Sequence, residues 1–243
     1  MFIKFCWGDR NPLGWKFYLS LTLIIISGIL VWFNLEDEII TTSTGSQPIY
    51  QGRTGQKVVA LTFNVDWGEE YLPAILQILK ENQAQATFMV TGRWAKLHPD
   101  LISSIVTEGH EIGNHGYYHS HPNQLGRSEL EEEIRRTEVV VEEICGQKTR
   151  LFAPPYGEFN QRVLDTVESL GYPLIMWSLD TVDWRKPQPS TIVNRVNIGV
   201  KSDHIVLMHP TNPTVQALPD ILKFLKDEGY RMVTVSDIIL EGG

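Results

Sequence analysis

The stretch "VVALTFNVDWG", residues 58–68, decides the fold. Its first half is dense in apolar, β-favouring side chains (Val58, Val59, Leu61 and Phe63), as a buried strand requires. Asn64, Asp66 and Trp67 then make a polar and bulky edge, and Gly68 permits a tight turn. Side chains alternate along a strand, so Thr62, Asn64 and Asp66 share one side while Val65 faces the other. In parallel α/β architectures chemistry sits at the carboxyl ends of strands, which makes this edge a candidate rim.

Working outward, short β-rich runs recur at 86–90, 111–113, 151–153, 174–178, 204–209 and 232–235. Helical patterns fall between them at 71–81, 128–144, 161–170 and 215–228. This alternation predicts an α/β protein, a mostly parallel sheet wrapped by helices into a deformed (β/α) barrel over 57–240, with no internal repeat. Polar residues gather at the strand ends: "GNHGYYHSH" (113–121), "APPYG" (153–157), "SLDTVDW" (178–184) and "LMHP" (207–210).

Residues 17–33, "FYLSLTLIIISGILVWF", carry no charge and reach the low end of a bilayer-spanning length. Lys4, Arg10 and Lys16 precede them and Glu36, Asp37 and Glu38 follow, while Trp7, Trp15 and Trp32 flank the span. The expected organisation is a cytoplasmic tail (1–16), an uncleaved single-pass transmembrane helix (17–33), a Thr/Ser/Gly/Gln-rich linker (34–56) and an extracytoplasmic domain (57–240). A cleaved signal peptide competes, but no clear small-x-small site follows the apolar run. A net charge of −8 argues against a nucleic-acid binder, which needs a basic stripe. The two cysteines, Cys6 and Cys145, lie on opposite sides of the span, so no disulfide is expected.

His115 and His119 stand four residues apart, a spacing that on a helical turn points both imidazoles one way, as zinc ligands require. His121 is a competing partner, and a surface loop rich in His and Tyr is the plain alternative. His209 ends an apolar run, where a carboxylate from Asp180 or Asp183 would fix its tautomer and suit it to donate a proton. Turn capping is the alternative for both aspartates. His98 reads as a residue leading into a helix and His110 as a structural strand-edge histidine. "ELEEEIRR" (129–136) reads as a solvated helix face with Glu–Arg pairs.

In order, "LTFNVDWG", "HGYYH", "FAPPYG", "DTVDW" and "VLMHP" resemble the five motifs of the polysaccharide deacetylases, the nodulation-protein-B-like group or carbohydrate esterase family four, over about residues 57–239. The anchor and "NVDWGEE" resemble its sporulation-associated branch. The resemblance implies a metal-dependent hydrolase that removes acetyl groups from N-acetylated glycan, with zinc, or alternatively cobalt or manganese, as cofactor. It implies His115 and His119 as metal ligands, Tyr156 as an oxyanion-binding position, Asp183 and Trp184 as the fourth motif's pair, His209 as the acid, and Leu207 lining the acetyl pocket. Asn64 stands at the family's base position, Val65 at its metal-ligand position and Ala153 where an Arg should hold the base. Losing both partners of a buried ion pair leaves no orphan charge. Asp66, the nearest carboxylate on the correct side, becomes the expected base or third ligand. Trp67, Trp184 and Tyr156 would offer flat faces to sugar rings, with Asn64 beside them in the substrate site. The expected function is a membrane-anchored N-deacetylase of cell-wall glycan; the alternative is a catalytically impaired, glycan-binding protein on the same scaffold.

Overall fold

The computed structural model describes residues 47–240. The expected tail, anchor and most of the linker lie outside the described residues, as does Cys6. Among the described residues no helix is long and apolar enough to cross a membrane.

Six strands, β1 (Val58–Val65), β2 (Thr87–Val90), β3 (Glu111–Asn114), β4 (Leu179–Asp180), β5 (His204–Met208) and β6 (Arg231–Val233), form one parallel sheet. Its order is β3-β2-β1-β5-β4, and β6 pairs with the start of β1. Around it lie α1 (Leu72–Glu81), α2 (Gly92–Leu97), α3 (Pro99–Thr107), α4 (Arg127–Cys145), α5 (Gln161–Ser169), α6 (Pro189–Gly199), α7 (Asn212–Asp227) and α8 (Val235–Leu240). Single bridges carry the sheet onward from Asn114 to Phe152 and from Phe152 to Leu174. Ser178 N–H then donates to Ile205 O at 3.0 Å, so the ring closes onto β5 as a deformed barrel.

Two expected strands shrink to those bridges. Pro154 and Pro155 follow Phe152, and Pro173 precedes Leu174; none has an N–H to extend a ladder. The pairing segment after Leu174 is accordingly displaced, with β4 only at Leu179–Asp180. The helices α2, α3, α6 and α8 were not legible in the periodicity. α2 and α8 are six residues each, too short for a pattern to repeat. His98 is the N-cap residue of α3, which begins at Pro99.

The alternation expected of β1 holds. Val59, Leu61, Phe63 and Val65 belong to the core between sheet and helices. Val58 and Ala60 face the barrel interior with Met89, Ala153, Ile175 and Ile205. Phe63 is fully buried and stacks on Phe88 at 5.1 Å; burying such a side chain contributes roughly 1.5–3 kcal/mol. This outer layer leaves the interior side of β1 to carry Thr62, Asn64 and Asp66 toward the strand ends.

Candidate functional site

Beyond β1 the chain turns at Gly68, at φ +85°, where a Cβ would run into the backbone of Pro210 just past β5. That close approach needs glycine, and it seats Trp67 beside His209, with the two rings parallel to within 2° and 6.2 Å apart.

His209 is held by Asp183, which is fully buried. One carboxylate oxygen meets His209 Nδ1 at 2.8 Å; the other accepts His209 N–H at 2.6 Å and Thr214 Oγ1 at 2.7 Å. Val182, the residue before it, adopts φ +52°, costly for a β-branched side chain. Asp180 supports that conformation by accepting Val182 N–H at 2.7 Å. Asp180 is therefore a turn cap, and Asp183 is the imidazole's partner.

His115 is buried, and its Nδ1 lies 2.7 Å from Ala153 O. The neutral ring donates there, leaving the Nε2 lone pair free. Burial, helped by the neighbouring His119, pushes its pKa down to about 3. His119 sits at φ +59° with its ring 4.9 Å from that of His115 and nearly perpendicular to it. Its pKa is lowered, chiefly by burial, against the opposing pull of Asp66. His121 instead pairs with Glu158 at 3.1 Å and stacks on Tyr156 at 4.0 Å.

Glu133 was not recognised from sequence, and its place in "ELEEEIRR" corrects the reading of that run. The Glu–Arg pairs exist, at Arg127–Glu131 and Arg136–Glu132. Glu133, however, is buried and accepts Tyr117 N–H at 2.7 Å and Tyr118 N–H at 2.8 Å. It ties the loop carrying both imidazoles to α4. The signal was present: Glu133 lies on the same helical face as Leu130, Ile134, Thr137 and Val141.

Three aromatics near these groups are exposed: Trp67 (41%) beside His209, Tyr156 (56%) against His119 and His121, and Trp184 (47%), next to Asp183 in the chain. They are not core residues. Tyr156 adopts φ +60°, so two site residues from different loops, His119 and Tyr156, sit in the left-handed region. Leu207 is buried on β5. Asn64 is largely buried, and its amide makes no hydrogen bond to another described residue.

Asp66 reaches this region with its carboxylate already engaged. Oδ1 accepts Thr91 Oγ1 at 2.8 Å and Arg93 Nε at 2.9 Å; Oδ2 accepts Arg93 Nη2 at 2.5 Å. Val65 is buried in the outer core, Asn64 offers only an amide, and Ala153 packs in the interior cluster. Two imidazoles thus converge without a free third anionic donor. Among the described residues no group of three His, Cys, Asp or Glu side chains is placed to hold a metal ion. The donor set does not fit a three-ligand catalytic metal, which needs that donor and an open fourth position.

Fold and site define a parallel barrel whose polar cleft lies at the strand carboxyl ends beneath an aromatic rim. Residues 51–175 match the model of the polysaccharide deacetylase family, and the chain belongs to that family. It is 36% identical over 212 residues to the uncharacterized protein YlxY of Bacillus subtilis, covering 87% of this chain and 66% of that one. It is 36% identical over 190 residues to a peptidoglycan-N-acetylglucosamine deacetylase of Bacillus cereus, covering 76% and 89%. The crystal structure of a wild-type CE4 family pseudoenzyme from Bacillus anthracis superposes with a TM-score of 0.77 at 39% identity, over 79% of this chain and 69% of that one. A mutant of that pseudoenzyme, described as having restored enzymatic activity, superposes equally well.

Proposed function

We propose that this chain is a glycan-binding protein built on the deacetylase scaffold, with its hydrolytic machinery impaired. One observation carries the reading: the only carboxylate on the β1 edge that faces the cleft, Asp66, is bound through both oxygens by Arg93 and Thr91. An amide at Asn64 has no useful basicity, so the family's base position holds no carboxylate to take a proton from water. The likeness to a pseudoenzyme supports the same conclusion. What remains is a cleft that offers exposed Trp67, Tyr156 and Trp184 for stacking, and the unengaged amide of Asn64 for hydrogen bonding to an acetamide or hydroxyl. The ligand class is N-acetylated cell-wall glycan, bound outside the cell by a domain that the charge-flanked segment 17–33 would tether to the membrane.

The second reading is the active N-deacetylase with Asp66 as base, favoured by the intact Asp183–His209 pair. That pair has a structural reason to exist, because Asp183 also satisfies a backbone N–H and Thr214. Its presence therefore does not require catalysis.

The test is acetate release from peptidoglycan and chitooligosaccharide with Zn²⁺, Co²⁺ or Mn²⁺, beside calorimetric binding of the same oligosaccharide. The expected result is binding without release, with Trp67→Ala weakening binding about tenfold, since one stacked ring is worth about 1–2 kcal/mol. Acetate release by the wild-type chain that Asp66→Asn abolishes would establish the second reading. Tethering is tested separately: protease added to intact protoplasts should degrade the domain beginning near Lys57, and protection would reverse the orientation.

A further inference from the structure

Between His115 and His119 the chain carries two tyrosines, Tyr117 and Tyr118, that pack away from the imidazoles and onto α4. The Arg136 guanidinium lies 3.8 Å from the Tyr117 ring centroid and 5.1 Å from that of Tyr118. The two tyrosine rings meet edge to face at 4.7 Å, and Arg136 Nη1 donates to the Tyr118 hydroxyl oxygen at 3.3 Å. Tyr117 is buried, whereas Tyr118 stays 50% exposed. A ring fixed by a cation and a second ring, yet open to solvent, is a preformed platform, since little side-chain freedom remains to be lost on binding.

Tyr118 borders a surface depression of about 400 Å³, which it shares with Leu125, Ser128, Glu129, Glu132, Glu133 and Arg136. Such a volume suits a small ligand or one unit of a longer one. The three carboxylates are not equivalent. Glu129 accepts Gly126 N–H at 2.7 Å at the start of α4, and Glu132 pairs with Arg136 at 3.7 Å. Glu133 is only 9% exposed; its Oε2 takes the Tyr117 and Tyr118 amides, while Oε1 has a single long contact, 3.5 Å, with Ser120 Oγ. A carboxylate oxygen accepts through two lone pairs, so Oε1 keeps capacity for a hydroxyl donor. Three carboxylates against one guanidinium oppose an anionic occupant such as an acidic peptide. An aromatic platform with spare acceptors beside it suits a neutral, hydroxyl-rich ring.

We propose that this depression is a second sugar subsite, where Tyr118 stacks on a neutral unit of the same glycan chain that occupies the cleft. Continuity carries the choice of occupant. Tyr118 and His119 are consecutive residues, their Cα atoms about 3.8 Å apart. Their rings nevertheless serve different neighbours: Tyr118 packs with Arg136 on α4, and His119 meets the exposed Tyr156 at 4.6 Å. A glycan lying across this loop meets Tyr156 and then Tyr118. Glu133 fixes the crossing point, because its bonds to the Tyr117 and Tyr118 amides hold the backbone between the two imidazoles. The proposal rests on the reading of the cleft as glycan-binding and adds to it a preference for long chains over short ones.

The experiment is calorimetric titration of the full chain, in a zwitterionic detergent with EDTA, with chitotriose and chitohexaose on wild type, Tyr118→Ala, Tyr118→Phe and Trp67→Ala. Circular dichroism checks that each is folded. Wild type should bind chitohexaose about tenfold more tightly than chitotriose, the gain of one further stacked ring. Tyr118→Ala should bind chitotriose as wild type does and lose most of the gain on chitohexaose, whereas Tyr118→Phe, which keeps the ring, should retain it. Trp67→Ala should weaken both oligomers by the same factor. Chitohexaose affinity that Tyr118→Ala leaves unchanged overturns the proposal. So does an equal loss on both oligomers, which would make Tyr118 only a support of the loop. Should Trp67→Ala be neutral while Tyr118→Ala loses the length gain, the Tyr118 subsite stands and the reading of the Trp67 cleft falls. A wild type that binds neither oligomer overturns both.

Discussion

Replacing Asp183 tests whether the His209 pair is kept for structure. The Asp183 carboxylate is fully buried and satisfies three donors: the backbone N–H and Nδ1 of His209, and the Thr214 hydroxyl. Asp183→Ala leaves all three in a dry site with no replacement acceptor. Each buried donor left unpaired costs about 1–3 kcal/mol, and the hydroxyl can partly relieve itself by rotating toward Thr211 Oγ1, 2.7 Å away. The expected loss is about 3–5 kcal/mol, a fall in Tm of roughly 6–20 °C for a domain of this size. His209→Ala keeps its own backbone N–H on Asp183 and should cost only about 1–2 kcal/mol. Urea unfolding followed by tryptophan fluorescence measures both. Equal losses in the two variants, or a loss below about 1 kcal/mol in Asp183→Ala, would refute the argument that the carboxylate is a structural hub joining the 180–186 loop to the start of α7.

Glu133→Ala should cost about 2–4 kcal/mol and accelerate hydrogen exchange at the Tyr117 and Tyr118 amides, because both lose their only acceptor; unchanged exchange would show that α4 does not hold the imidazole loop. Gly68→Ala should destabilise by at least about 2 kcal/mol in the same urea assay, since φ +85° and the Pro210 backbone both oppose a Cβ; a neutral result would mean the 66–68 turn relaxes freely. His110 is buried without a partner for either ring nitrogen among the described residues, and burial lowers its pKa. The folded state then binds its proton less readily than the unfolded chain, so stability is whole above the unfolded value of about 6.5 and is lost as pH falls below it, by up to about 1.4 kcal/mol per pH unit for one such group. His115 and His204, both shifted downward, act with the same sign. Urea midpoints at pH 7.5 and 5.5 should therefore differ, and His110→Phe should shrink the difference; no change in slope would remove His110 from the account.

The succession of β1, β2, β3, β5 and β6 and the side of β1 that carries chemistry were legible in the sequence because they follow from local rules. Alternation along residues 58–66 separates the outer core of Val59, Leu61, Phe63 and Val65 from the inner edge of Asn64 and Asp66, and no long-range contact can reverse that parity. The five motifs in order identified the family for the same reason: each is a short run whose residue types are readable without knowing what it touches. Partnership was another matter. Nothing local distinguishes Asp180, a turn cap, from Asp183, an imidazole partner, until β5 brings His209 alongside. Two proline-flanked runs lost their ladders to missing N–H donors, although they kept their places in the ring. Glu133 lies in a charged run whose local pattern predicts a solvated face; the approach of a distant loop buries it. The role of Asp66 depended on Arg93, 27 residues later, which reaches it only because β2 pairs with β1 and delivers α2 to the same strand ends. A sequence states which groups a chain owns and which way each strand presents them, whereas the occupancy of a carboxylate's lone pairs is a property of contacts between segments, and those exist only once the chain has closed.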